Sequence, residues 1–164
     1  MQYSLVREIF GKPWQISALG IQQNHPVIMS ILHGAEFTVE EEPRENLPYL
    51  VSAASFEPRA WMDDDEGGEA EEEQQKEKVI NVLPVRGVLT KHDMACGPRG
   101  ARTLGNRLRR ADADESVIGH ILIIEGPGGS AMAVPELSEA ITDCKKPVVV
   151  WVDGIMASAH MYVA

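Results

Sequence analysis

Two short stretches carry residue types whose spacing could do chemistry. The first is Glu125-Gly126-Pro127-Gly128-Gly129-Ser130, directly after the apolar run Ile121-Leu122-Ile123-Ile124. Three glycines around a proline leave backbone N–H groups that no side chain shields. At the C-terminal edge of a parallel sheet such groups can hold an oxyanion or a phosphate. The plainer alternative is an ordinary strand-to-helix turn. The second stretch is Asp153-Gly154-Ile155-Met156-Ala157-Ser158-Ala159-His160. It places Ser158 among small residues at the predicted start of a helix, whose positive end lowers the cost of an alkoxide and leaves the Ala159 N–H to donate. Here the plainer alternative is an N-cap serine.

Other chemistry is poorly supported. The glycines lack the GxGxxG spacing of a dinucleotide fingerprint. His92, Asp93 and Cys96 have no fourth ligand at suitable spacing, so no metal site is expected, and no cofactor. His160 stands two residues from Ser158, but positions i and i+2 of a helix point about 200° apart, which turns its ring away from the serine. Cys96 and Cys144 form no CxxC pair and no disulfide framework, which fits a reduced, cytoplasmic setting.

The elements that must position these stretches begin at residue 79. VINVLPVRGVL (79–89), VIGHILIIEG (117–126) and PVVVWVDG (147–154) read as three strands. Between them, residues 100–114 read as a helix with Leu104 and Leu108 on one face and Arg107, Arg109 and Arg110 toward solvent. Residues 135–144 read as another, with Pro135 in its first turn. Continuous apolar strands alternating with helices imply βαβ units and a parallel, buried sheet, an α/β fold.

The remainder divides in two. Residues 63–78 hold nine acids and two lysines, so this stretch supplies −7 of the chain's net charge of −10. It has no β-branched or aromatic residue and reads as an acidic linker. Residues 1–62 read as a mainly helical N-terminal extension: Leu5, Ile9 and Phe10 have helical spacing, a helix is predicted from Pro26 to Gly34, and PYLVSAASF (48–56) is a possible strand. No apolar run approaches the roughly 18 residues of a membrane span. The N-terminus lacks the layout of a signal peptide, and no basic face invites nucleic acid.

The order apolar strand, Pro-Gly-Gly, helix, Lys-Pro, apolar strand, Ala-Ser resembles the signal peptide peptidase A family of serine peptidases, including the phage capsid-maturation proteases related to it. Members resemble I-x-S-P-G-G … K-P-V-x-x-x-x-x-G-x-x-A-S-G-G-Y-Y-I-A; this chain reads IEGPGG (124–129) and KPVVVWVDGIMASAHMYVA (146–164). The likeness covers residues 79–164. It implies a ClpP/crotonase-like fold of βαβ layers, a homo-oligomer, Ser158 as nucleophile, and an oxyanion hole of Gly129 with help from Gly128 and the Ala159 N–H. A peptide or protein substrate is implied, with phage capsid or scaffold proteins as partners in a bacterial or phage-infected cell. A lysine acts as base in the family, some tens of residues past the serine. Of the six lysines only Lys91 lies on the correct sheet edge, so the domain is expected to be incomplete at its C-terminus. Gly126 stands where the family has serine, and His160 and Met161 where it has Gly and Tyr. A Clp-like protease with a downstream histidine, a crotonase acting on acyl-CoA and a catalytically silent assembly protein are the competing readings.

Overall fold

The computed structural model describes residues 14–16, 46–60, 77–94 and 98–164, together with residues 22, 25, 26, 29, 30, 33 and 34. The acidic stretch 63–76, the helical spacing of Leu5, Ile9 and Phe10, and Cys96 lie outside the described residues.

Six strands form one mixed sheet: β1 (Trp14–Ile16), β2 (Tyr49–Ser52), β3 (Pro58–Ala60), β4 (Val79–Leu89), β5 (Val117–Ser130) and β6 (Val148–Met156). β4, β5 and β6 run parallel, joined by helices α1 (Ala101–Ala113) and α2 (Val134–Thr142). This is the predicted α/β architecture. β4 and β6 flank β5, so both crossovers step the same way across the sheet. The right-handed rule for such crossovers then puts both helices on one face. Leu83, Val85, Leu122 and Ile124 turn to that face and pack against Leu104, Leu108, Leu137 and Ala140. A short helix, α3 (Ala159–Val163), follows β6 and adds Ala159 and Val163 to the same core.

The local sequence accounts for the elements. In α1 the buried positions Ala101, Leu104, Gly105, Leu108 and Ala111 recur at helical spacing, with Arg102, Arg109 and Arg110 exposed. α2 carries Pro135 in its first turn, where a missing N–H costs nothing. Pro84 sits inside β4, yet β2 pairs only with Val79–Val82, so Pro84 lies past the end of that ladder.

Residues 49–60 form an antiparallel hairpin, and β2 pairs antiparallel with β4. The N-terminal part therefore contributes strands to the sheet: β2 falls within the strand read at 48–56, whereas β1 and β3 were not predicted. Among its described residues, 25, 26, 29 and 30 are helical, and Gly34 lies in a turn at φ 78°, where the predicted helix was to stop.

β5 is longer than predicted. It runs through the glycines to Ser130, because a bulge and close backbone approach replace the expected turn. Arg86 faces Glu125 and Val88 faces Gly128, so β5 holds one extra residue there. Gly87 takes φ 78° and Gly128 φ 107° at this irregularity. A Cβ on Gly129 would overlap the carbonyl of Leu89, so only glycine lets β4 come this close.

Candidate functional site

The C-terminal ends of β4, β5 and β6 bring the two sequence stretches together. Gly126 lies opposite Met156, and the Ala157 N–H donates to the Gly126 carbonyl at 3.1 Å. Ser158 follows at once, between Ala157, which bonds Gly126, and His160, which bonds Gly128. Its backbone adopts φ 53°, ψ −116°, a left-handed conformation costly for any residue with a side chain. Its side chain makes no capping hydrogen bond to α3. The N-cap explanation of this serine therefore fails: a capping serine has extended backbone and a bonded hydroxyl. What the structure shows instead is a strained serine between strand and helix, its side chain uncommitted to a cap and partly open to solvent.

Ala159 heads α3, where the first N–H groups have no intrahelical acceptor. Gly128 and Gly129 are buried in β5. The Gly128 N–H donates to His160 Nδ1 at 3.1 Å, so this donor is already engaged by an imidazole. The His160 ring is fully buried, and burial pushes its pKa down to about 4. With Nδ1 accepting, the proton sits on Nε2, a buried atom without a partner among the described residues. His160 is thus a neutral brace under the glycine segment.

That brace also limits what position 126 can carry. A Cβ on Gly126 would lie 2.8 Å from His160 Nε2. The ring and the still nearer Gly87 carbonyl together fill the space that a side chain at 126 would need.

Arg86 escaped the sequence reading. It pairs with Glu125 of β5 and, at 2.6 Å, with Asp153 of β6, and so ties the ends of three parallel strands together. An arginine inside an apolar strand, with two carboxylates each just ahead of a glycine motif, was the signal available. Lys91, the local candidate for a base, pairs with Glu136 of α2 at 2.6 Å, and this bond holds the Glu136 carboxyl below its usual range.

Away from this edge, Asp93 accepts from the Gly100 N–H at 2.7 Å and braces the loop before α1. At the opposite end of β5, Asp112, His120 and Cys144 come within 4.8 Å of one another. They are engaged structurally. Asn81 Nδ2 bonds His120 Nδ1, His120 Nε2 bonds Asp112, and Asp112 also accepts from the Lys145 and Lys146 N–H groups. Burial pushes the Cys144 thiol up to about 11, and it donates to the Ala140 carbonyl.

No protein-family model matches the chain. A curated protein of Methanocaldococcus jannaschii named "Putative protease MJ0651" is 37% identical over 68 residues. The match covers 40% of this chain, which spans only 22% of that relative's length. A distant, partial similarity to a protein named as a protease is what the comparisons add. Among the described residues no helix is long and apolar enough to cross a membrane.

Proposed function

We propose that this protein is a serine endopeptidase of the signal peptide peptidase A type, with a ClpP/crotonase-like domain, acting on phage or prophage capsid proteins during maturation. The observation that carries the reading is the strained, uncapped backbone of Ser158 at the end of β6, beside the glycine segment of β5. The partial similarity to a protein named as a protease supports the reaction class, and the motif resemblance supports the type.

In this reading a peptide lies extended at the edge of β5. Ser158 Oγ attacks the scissile carbonyl, and its proton passes to a base, a lysine in the family. The oxyanion is held by the N–H groups of Gly129 and Ala159. Gly128 contributes position, since its own N–H is held by His160. The leaving amine departs protonated, and water then hydrolyses the acyl-enzyme. His160 cannot serve as base, because its Nδ1 is engaged and its ring is sealed from solvent.

The test is labelling of the full-length native protein with a fluorophosphonate, mapped by mass spectrometry. Ser158 is expected to carry the label, and Ser158→Ala to lose both label and peptide cleavage without a change in circular dichroism. Cleavage that survives Ser158→Ala would overturn the assignment. A folded protein that is neither labelled nor active would support the silent assembly protein instead.

A further inference from the structure

β5 has two edges, and both are occupied past the point where Ser158 leaves the sheet. β4 covers one edge to its end, with Val88 opposite Gly128 and Leu89 opposite Gly129. β6 covers the other only as far as Gly126, opposite Met156. Beyond it, β1 pairs antiparallel with Gly128–Ser130: Trp14 faces Ser130, Gln15 faces Gly129 and Ile16 faces Gly128. Because β4 already holds the first edge at Gly128 and Gly129, β1 must lie on the second. It therefore continues the lane that β6 vacates next to Ser158.

The direction of β1 matters as much as its place. It runs from the Ser130 level down to Gly128, toward Ser158. A peptide in this lane and polarity keeps its N-terminal portion paired with β5 and brings the bond that follows toward the serine. That is the half a serine enzyme retains as the acyl group. Adding a strand to an open edge is a general way to bind extended peptide independently of side-chain identity.

We infer that residues 14–16 act as an internal substitute for substrate: β1 holds the peptide-accepting edge Gly128–Ser130, and an extended peptide binds there by displacing it. The purpose of the edge rests on the serine-peptidase reading above; the competition between β1 and a peptide does not. A strand of three residues is short enough to exchange, and being tethered it competes at high effective concentration.

The test uses full-length protein carrying Ser158→Ala, so that nothing is cleaved, and a fluorescent peptide of the sequence KPWQISA, residues 12–18 of this chain. Gln15→Pro and Ile16→Pro are compared with the parent by fluorescence anisotropy. Neighbouring amides of a strand face opposite edges, so one of the two prolines removes a donor directed at β5. That variant is expected to bind the peptide about tenfold more tightly, the factor for an edge held closed about nine-tenths of the time. Hydrogen exchange on the parent provides a readout free of any effect of proline on folding. Saturating peptide should expose the amides of residues 14–16 while those of 128–130 stay protected.

Unchanged affinity in both variants, or amides 14–16 that stay protected under saturating peptide, would overturn the inference. Fluorophosphonate labelling of the same variants with Ser158 restored separates the two ideas. Tighter peptide binding with no labelled serine would refute the peptidase reading and leave the displaced strand standing. A labelled Ser158 with peptide affinity indifferent to β1 would do the reverse.

Discussion

Ser158 and His160 sit two residues apart and bear opposite burdens. Ser158 holds a backbone conformation that glycine adopts freely and other residues do not. Replacing it with glycine should therefore stabilise the protein by about 1 kcal/mol. At this chain length that raises the melting temperature by roughly 3 °C, while labelling and activity are lost. A lower melting temperature in Ser158→Gly would show that the side chain serves the fold. His160 carries the opposite sign. Its imidazole stays neutral in the fold down to about pH 4, whereas an unfolded histidine takes up a proton near pH 6.5. Between those values the unfolded state binds the extra proton, so stability falls as pH drops from about 6.5 toward 4, by up to roughly 3 kcal/mol. Protonation would also turn Nδ1 from acceptor to donor and break its bond to Gly128. Urea midpoints measured across this window should fall more steeply for the parent than for His160→Gln, and equal slopes would exclude the mechanism.

The coupling of β5 to α3 belongs to the level of elements. Gly126 is hemmed in by the Gly87 carbonyl on one side and by the His160 ring on the other. Gly126→Ala must push against both, at a cost of about 1–3 kcal/mol. His160→Gly removes one obstacle and leaves the other. The double mutant should thus be less destabilised than the sum of the single mutants, by about 1 kcal/mol. Strictly additive losses in denaturant melts would mean that ring and glycine do not meet. The bulge at 126–127 is the same device seen along the strand: it re-aims β5 so that its glycines lie beside the serine that β6 delivers. Arg86 holds the three strand ends while this happens.

On the scale of the whole molecule, α1, α2 and α3 cover one face of the parallel sheet, and β6 leaves much of its apolar surface open. Trp151 is 64% exposed and Val149 58%, with Val152 and Ile155 of the same strand and Met161 and Tyr162 of α3 also exposed. Exposed large apolar side chains along a strand, Val149 and Trp151 above all, bind hydrophobic dyes and favour association. Residues 1–164 should enhance the fluorescence of anilinonaphthalene sulfonate under native conditions, and Val149→Lys with Trp151→Lys should remove most of the effect. A parent that leaves the dye dark and sediments as a monomer would contradict the exposed face.

Periodicity alone determined the parallel βαβ frame. Strand 79–89 was legible to the residue, and the helices and remaining strands to within a few, because each pattern reflects burial on one face of a regular element. Residue types also marked Ser158 and the glycines of 126–129 as the place for chemistry. What the glycines do is a tertiary matter. They form a paired strand, not a turn, because β4 approaches Gly126 and Gly129 too closely for a Cβ, and no local signal reports that approach. Nor could sequence place His160. The helical angle turned its ring away from the serine, but only packing shows that it seals the space over Gly126 and holds the Gly128 N–H. The pairing of β1 with Gly128–Ser130 joins residues more than a hundred positions apart. Such a contact depends on which edge the rest of the sheet leaves open, and that is decided only when the chain has folded.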